Sequence, residues 1–219
     1  MLLTATNVSA TTVTVVISGR VAILNDASDL LMDGSVRVGT PYTLTMSYDD
    51  SIPDLQSSDP NMGQFVAGAG LASYVIEVGN YTFTATGPLE IGVINDDPLQ
   101  QLQVPDALGW FVQGFDLAGT LNPAVALGST RFSNPFLLDS TGFAHSSDAL
   151  TGVKWDLAAY DSAATAFNFS TSLIDPRTTT TRDFMEFFAS IEQIAVVPEA
   201  GSTLLLVAAA LSFMRARRR

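Results

Sequence analysis

The stretch Tyr42-Thr43-Leu44-Thr45-Met46-Ser47-Tyr48 alternates large side chains with hydroxyl-bearing ones. Because successive side chains of a strand point to opposite faces, this alternation predicts a β-strand with one face in a core. Farther along, residues 74–78 and 81–85 carry the same residue types on either side of Gly79-Asn80. A two-residue Gly-Asn connection is typical of a hairpin with a type II′ or I′ turn. The sequence around Tyr42 is therefore predicted to belong to an antiparallel sheet.

Similar segments recur along residues 11–197, with turn signals such as Asn95-Asp96-Asp97-Pro98 between them. The further predicted strands are residues 11–18, 89–94, 110–117, 131–138, 153–157, 166–170 and 190–197. Short strands at nearly regular spacing indicate an antiparallel β-sandwich, which we expect to be jelly-roll-like. Residues 183–192 are ambiguous, because their apolar side chains keep helical spacing and are equally compatible with a short helix.

The composition favours a folded domain that does not bind nucleic acid. Of 219 residues, 47% are hydrophobic and 15% are charged, which is typical of a chain with a core. Cysteine is absent, so disulfides and thiolate metal sites are excluded. Residues 1–197 carry 6 basic and 21 acidic side chains, a net charge of −15. Such a domain repels phosphate backbones, so its charge argues against nucleic acid as a partner.

The C-terminal segment, 198–219, combines three features. Pro198 lacks an N–H and ends any element that arrives from the domain. Residues 202–214 are uncharged and rich in the helix formers Leu and Ala, and an arginine cluster follows. Arginine beside an apolar helix favours the cytoplasmic side, so we expect one C-terminal transmembrane helix whose C-terminus lies inside. The predicted membrane residues are Ser202, Leu204, Leu205, Leu206, Val207, Leu211, Phe213 and Met214, and the cytoplasmic anchor is Arg215, Arg217, Arg218 and Arg219.

The weak point of this helix is its length. Thirteen helical residues span about 20 Å, whereas the hydrocarbon core is ~30 Å thick. A start nearer Ala200 and snorkelling arginines reduce the difference. The alternative is an amphipathic or core helix, against which stands the absence of any polar face in residues 204–211.

The tail resembles the sorting signal of the PEP-CTERM family of Gram-negative bacterial surface proteins. Val197-Pro198-Glu199 matches the first three positions of the family's Val-Pro-Glu-Pro motif, and Ala200 stands where the second proline is usual. The apolar run and the arginines match the rest of the signal. The resemblance implies that exosortase, a membrane protease-transpeptidase, cuts near the motif while the chain is anchored transiently in the inner membrane. It also implies a final place at the cell surface or in the extracellular matrix, with exopolysaccharide in a biofilm.

A looser resemblance to ectodomains of the same family covers most of residues 11–197. It rests on the stretch Gly34-Ser35-Val36-Arg37-Val38-Gly39-Thr40, on Gly79-Asn80-Tyr81-Thr82-Phe83 and on Ile94-Asn95-Asp96-Asp97. It implies no chemistry.

An exported domain needs a leader, and residues 1–10 resemble the end of one. Val8 and Ala10 fit the small, uncharged positions before a signal-peptidase cut. We therefore interpret 1–10 as the remnant of a truncated signal peptide, with the ectodomain spanning 11–197. The alternative is that residues 1–10 are a frayed terminus.

Asp49, Asp50, Asp54 and Asp59 crowd one short segment. Calcium takes six to eight oxygen ligands, which loop carboxylates and carbonyls supply. The spacing is not that of an EF-hand, and solvated turn aspartates are the commoner interpretation. Asp49, Asp50 and Asp54 are thus candidate calcium ligands, and no other cofactor is predicted.

No enzymatic motif stands out. His145, the only histidine, adjoins Ser146, Ser147 and Asp148, but sequence neighbours seldom reach triad geometry. Carboxylate pairs for glycoside cleavage leave no local motif, so a secreted polysaccharide hydrolase stays an alternative.

The favoured function is a non-enzymatic exported surface protein, and a carbohydrate- or calcium-binding module is the first alternative. For the module, Trp110, Trp155 and the thirteen phenylalanines are candidates for a sugar-binding face. Aromatic side chains of a sandwich more often form its core.

Overall fold

A computed structural model describes residues 11–26, 29–68, 70–96, 105–123, 126–133, 135–161, 166–174 and 181–197. The strands are β1 (Thr12–Asp26), β2 (Pro41–Asp49), β3 (Met62–Ala67), β4 (Ser73–Val78), β5 (Tyr81–Ala85), β6 (Leu89–Ile94), β7 (Asp106–Gln113), β8 (Phe115–Ala118), β9 (Ala126–Ser133), β10 (Phe136–Asp139), β11 (Ala166–Ile174) and β12 (Thr181–Val197). The described residues between β10 and β11 include the 3-10 turns Leu150–Gly152 and Leu157–Ala159. The prediction of an all-β, antiparallel fold is confirmed.

The predicted leader and tail lie almost entirely outside the described residues. Val197, the last residue of β12, is described and is 45% exposed. The predicted residues outside the described ranges are Val8, Ala10, Pro198, Glu199, Ser202, Leu204, Leu205, Leu206, Val207, Leu211, Phe213, Met214, Arg215, Arg217, Arg218 and Arg219. Within the described ranges, none of the helices has the length and hydropathy that a membrane crossing requires.

The strands form one continuous hydrogen-bonded sheet, which folds into two antiparallel layers. Its order is β3-β6-β7-β10-β11-β12-β1-β2-β4-β5-β8, with β9 beside both β7 and β11. β12 is the long link between the layers, because it pairs with β11 on one edge and with β1 on the other. One layer is built around β3, β6, β7 and β10, and the other around β1, β2, β4, β5 and β8.

The layers meet again at a corner where β5 leads into β6 and β7 leads into β8. β5 pairs with β8 and β6 with β7, so the two chain segments run as one bent antiparallel ribbon. Gly114, with a φ of 85°, joins β7 to β8, and its carbonyl accepts a hydrogen bond from the Thr86 N–H at 3.0 Å. Glycine adopts this left-handed conformation without steric cost, so Gly114 allows the ribbon to turn here.

Aromatic side chains from both layers meet in the core. The indole Nε1 of Trp110 in β7 donates to the Tyr74 hydroxyl of β4 at 3.3 Å, and that hydroxyl lies 2.7 Å from Ser133 Oγ of β9. Phe83 of β5 packs edge-on against Phe187 of β12, with ring centroids 6.1 Å apart. Each fully buried side chain of this size contributes about 1.5–3 kcal/mol of hydrophobic stabilisation, and the hydrogen bonds remove the cost of burying the indole N–H.

The clearest sequence patterns predicted their elements correctly. Residues 42–48 form most of β2, and the side chains of Tyr42, Leu44, Met46 and Tyr48 are buried. β4 and β5 form the predicted hairpin, and Gly79 has a φ of 58°. A positive φ at the first turn residue alone is the signature of a type II′ turn.

The alternative of a short helix over residues 183–192 is wrong. These residues belong to β12, in which Met185, Phe187, Ala189 and Ile191 are buried at every second position. Pairing with β11 and β1 on both edges satisfies the backbone of β12, and this tertiary pairing overrides the local helical spacing.

The predicted strand over 153–157 is also wrong. Val153 forms only an isolated bridge with His145, and a 3-10 turn begins at Leu157. Asp156 caps that turn by accepting a hydrogen bond from the Ala158 N–H at 3.0 Å. The predicted strands 110–117 and 131–138 are each two strands, divided at Gly114 and after Ser133.

β3 was not predicted, although it forms one edge of a layer. Its buried positions are Gly63, Phe65 and Ala67, so only one large apolar side chain marks its inner face. A pattern with two small residues carries too little hydrophobic contrast to be recognised.

Candidate functional site

A shallow groove lies on the outer face of the layer that contains β3, β6, β7 and β10, with a volume of about 310 Å³. This volume is at the lower end of the range for small-molecule sites. We call it the aromatic groove and define it by six of its lining residues: Gln64, Glu90, Gly92, Gly109, Phe111 and Phe136.

Strand register brings the groove residues into line. Gln64 of β3 pairs with Gly92 of β6, Gly92 pairs with Gly109 of β7, and Gly109 pairs with Phe136 of β10. Four strands thus contribute one transverse row, about 14 Å from end to end at the usual strand spacing. In the neighbouring row, Glu90 pairs with Phe111. The two glycines leave a floor of bare backbone between Gln64 at the polar end and Phe136 at the aromatic end, whereas Glu90 and Phe111 are direct neighbours.

Alternation explains why these side chains point outwards. β6 buries Leu89, Ile91 and Val93, so Glu90 and Gly92 lie on the opposite face. The same rule separates Trp110, buried in the core, from its neighbours Gly109 and Phe111 in β7.

The two glycines of the floor have different surroundings. A Cβ added to Gly109 would lie 2.9 Å from ring carbons of Phe136, so the ring rests directly on the Gly109 backbone. A Cβ added to Gly92 would find its nearest neighbour, the Gly109 carbonyl oxygen, at 4.0 Å. Phe136 therefore needs the glycine at 109, whereas the space above Gly92 is open to a ligand.

The aromatic end of the groove is accessible. Phe111 is 36% exposed and Phe136 is 39% exposed. Exposed aromatic faces that stand beside polar groups are typical of ligand-binding surfaces.

At the polar end, two side-chain amides and one carboxylate form a chain of hydrogen bonds, which we call the relay. Gln56 Nε2 donates to Gln64 Oε1 at 3.2 Å, and Gln64 Nε2 donates to Glu90 Oε1 at 2.5 Å. A carboxylate only accepts hydrogen bonds, so it fixes the Gln64 amide with its nitrogen towards Glu90. The Gln64 oxygen then accepts from Gln56, and the orientation of both amides is determined.

Asp54 binds the backbone of both glutamines of the relay. Its Oδ1 accepts hydrogen bonds from the backbone N–H groups of Gln56 and Gln64, both at 2.8 Å. The Leu55 N–H donates to the Gln64 carbonyl at 2.8 Å, which completes the attachment of this segment to β3. Asp54, a predicted calcium candidate, thus positions the two glutamines.

The other aspartates of that segment also accept hydrogen bonds from backbone N–H groups. Asp49 Oδ1 accepts from both the N–H and the hydroxyl of Ser51, Asp50 Oδ1 accepts from the Thr11 N–H, and Asp59 Oδ1 accepts from the Asn61 N–H. The bonds to Ser51 lower the pKa of Asp49. Among the described residues, no group of three or more His, Cys, Asp or Glu side chains is arranged to hold a metal ion. Calcium binding by Asp49, Asp50 and Asp54 stays a prediction, which the melting temperature in millimolar calcium would test.

The tryptophans lie in or against the core. Trp110 borders the groove but is only 1% exposed, and its indole faces Tyr74. Trp155 packs against the core and donates from Nε1 to the Tyr48 hydroxyl at 3.0 Å. Burial of Trp110 argues against a sugar-facing role for its side chain, whereas such a role for the partly buried Trp155 stays a prediction. Phe111 and Phe136 are the exposed aromatic side chains of the groove lining.

His145 is buried at the ends of β7 and β10 rather than in an exposed loop. Its backbone N–H donates to Asp106 Oδ2 at 2.9 Å, and its ring lies 5.8 Å from that of Tyr160. Burial lowers the pKa of His145 and outweighs the opposing effect of the carboxylates of Asp106 and Asp139. Asp139 in turn accepts backbone hydrogen bonds from Thr141, Phe143 and Ala144, as expected of a carboxylate that orders a loop.

Comparison of this chain with protein-family models, with curated proteins and with solved structures gives no match.

Sequence reasoning missed the groove because its residues are distant in the chain. Gln64, Glu90, Phe111 and Phe136 come from four different strands, and only the register brings them together. The available signal was local: Phe111 follows the core residue Trp110, so alternation alone placed one of the two aromatic side chains outside.

Proposed function

We propose that this chain is a non-enzymatic surface protein that binds an extracellular polysaccharide in the aromatic groove. The observation that carries this proposal is the transverse row in which two glycines separate the Gln64 amide from the Phe136 ring. A row of this kind offers a flat apolar surface and hydrogen-bonding groups at a fixed distance from each other.

Sugars combine the two properties that this surface matches. A pyranose ring carries C–H groups on its faces, which pack on aromatic rings such as Phe111 and Phe136. Its hydroxyl groups both donate and accept, so they bind to amides and carboxylates such as Gln64 and Glu90. The open floor above Gly92 allows an extended chain to lie across the strands.

Delivery to the surface is the second part of the proposal. The resemblance of the tail to a PEP-CTERM signal supports export, transient anchoring in the inner membrane by a C-terminal helix, and processing by exosortase. β12 ends at Val197, so the Pro198-Glu199 motif follows the last described strand directly. The jelly-roll-like arrangement of the sandwich and the extracellular location in a Gram-negative bacterium belong to the same proposal.

The groove favours binding over hydrolysis. Glycosidases use two carboxyl groups about 5–10 Å apart. Glu90 is the one carboxylate among the residues that line the groove in the described part of the chain, and Gln64 already holds one of its oxygens.

The binding part is tested by titrating the full chain with a panel of soluble oligosaccharides. For the oligosaccharide bound best, Phe111→Ala and Phe136→Ala should each weaken binding roughly tenfold, since each removes one stacking surface. Phe143→Ala is the matched control, because Phe143 is 77% exposed and lies outside the groove lining. Binding to none of the sugars, or an equal loss with Phe143→Ala, would contradict the proposal.

The sorting part is tested by the intact mass of the protein recovered from a producing cell. We expect one cut near Ala10 and a second near Pro198-Glu199. Deleting the exosortase gene should abolish the second cut only. An unprocessed mass in normal cells would show that residues 1–10 and 198–219 are not sorting segments.

A further inference from the structure

We infer that the aromatic groove selects polysaccharides that carry free amino groups, and that it disfavours those built from uronic acids. This inference rests on the proposed function, and it names the class of sugar that the same groove takes.

The relay has one direction, from Gln56 through Gln64 to Glu90. The Gln56 and Gln64 amides both point their N–H groups towards Glu90, so the relay ends in an acceptor. Glu90 Oε1 accepts from Gln64, whereas Oε2 has no hydrogen-bond partner among the described residues. Oε2 at the polar end of the groove can therefore accept a hydrogen bond from a donor on the ligand.

The acceptor at the end of the relay is a charged side chain. Of the residues that line the groove, all of them described, Glu90 is the one with a charged side chain. Residues 1–197 as a whole carry a net charge of −15. A protonated amine has three N–H donors and forms charge-assisted hydrogen bonds with a carboxylate. The carboxylate of a uronic acid has no donor and is repelled by Glu90.

Glu90 lies next to the apolar surface of the groove. Glu90 and Phe111 are a cross-strand pair, so their side chains stand side by side on the outer face. A sugar ring that packs on Phe111 has its substituents at the edge of the ring within reach of the Glu90 carboxylate. A protonated amino group at that edge donates a charge-assisted hydrogen bond to Glu90 Oε2, whereas an N-acetylated amino group offers one neutral N–H.

The experiment compares three oligosaccharides of equal length: oligoglucosamine, its fully N-acetylated counterpart and an oligogalacturonate. Each is titrated into the full chain at mildly acidic pH, at which the amino groups of oligoglucosamine are protonated, and at moderate salt, which screens general attraction to the acidic surface. We expect the order oligoglucosamine, then the N-acetylated form, then oligogalacturonate. Glu90→Gln should lower the preference for the amine by about two- to fivefold.

Glu77→Gln is the matched control. Glu77 is an exposed carboxylate on β4, in the other layer, so the substitution removes the same charge without touching the groove. The preference for the amine should survive this change.

The outcomes separate the two proposals. Equal affinity for the amine and the N-acetylated form, or an equal effect of Glu77→Gln, would leave sugar binding intact and overturn amine selection. Tightest binding of oligogalacturonate would do the same. Binding to none of the three, together with a silent wider panel, would overturn the groove function itself.

Discussion

Asp54 Oδ1 accepts a hydrogen bond from the backbone N–H of Gln64 at 2.8 Å, and this bond fixes the start of the relay that reaches Glu90. Asp54→Ala removes the acceptor of two backbone N–H groups and should lower the free energy of unfolding by about 1–2 kcal/mol. Urea denaturation measures this change. Asp59→Ala, which removes the acceptor of one N–H, should cost less. Equal stability of the Asp54→Ala variant and the parent would show that this carboxylate does not hold the segment.

The glycine pair in the groove allows stability and binding to be separated. Gly109→Ala brings a methyl group against the Phe136 ring, so the ring must move and the protein should lose about 1–3 kcal/mol. Gly92→Ala meets no atom closer than 4.0 Å and should keep or slightly raise the melting temperature. It should nevertheless weaken sugar binding, because the methyl group occupies the open floor. Full binding by a stable Gly92→Ala variant would place the ligand elsewhere.

Adjacent residues in β7 should behave in opposite ways. Trp110→Ala opens a large cavity in the core and should cost about 3–5 kcal/mol. Phe111→Ala removes a partly exposed side chain and should cost about 1 kcal/mol or less. Thermal unfolding distinguishes the two. A similar large loss for Phe111→Ala would mean that its role is packing rather than ligand contact.

His145 should make stability depend on pH in a mildly acidic range. Burial lowers its pKa in the folded state below the ordinary value of 6.5, so the unfolded chain binds the proton first. Its contribution is therefore fully present above about pH 6.5 and decreases as the pH falls towards the lowered pKa. Melting temperatures measured from about pH 7 to about pH 5 should fall, and His145→Gln should flatten that part of the curve.

Asp33 and Asp139 affect stability in a lower pH range than His145 does. Hydrogen bonds to Ser35 lower the pKa of Asp33 to about 2, and the pKa of Asp139 is also lowered. Their contribution is present above the ordinary pKa of 3.8 and is lost only as the pH falls below it.

An unchanged slope of the melting temperature between pH 7 and pH 5 in His145→Gln would assign the loss of stability in that range to groups other than His145.

The sequence correctly predicted the strands in which all side chains on one face are large and apolar. β2 is the clearest case, with Tyr42, Leu44, Met46 and Tyr48 on the inner face. It failed where small residues face the core, as in β3, and where Phe184, Phe187, Phe188 and Ile191 keep helical spacing although they belong to a strand. In both cases, pairing with neighbouring strands determines the structure, and a single segment carries no information about its partners.

The groove was beyond sequence reasoning for a related reason. Alternation assigns Phe111 to the face opposite Trp110, but it does not reveal which strand lies beside β7 or in which register. The alignment of Gly92 with Gly109, and of Gly109 with Phe136, is a property of the whole sheet. The sequence also suggested calcium binding by the aspartates around Asp54. Their hydrogen bonds to backbone N–H groups depend on the folded chain and are known only from the structure.

The most direct measurement is the map of backbone amide chemical shifts in the full chain as the best-bound oligosaccharide is added. We expect the shifts to change along β3, β6, β7 and β10, with the largest changes at Gln64, Gly92 and Gly109. Changes confined to β2, β4 and β5 on the other layer, or no changes at saturating sugar, would contradict binding in the aromatic groove.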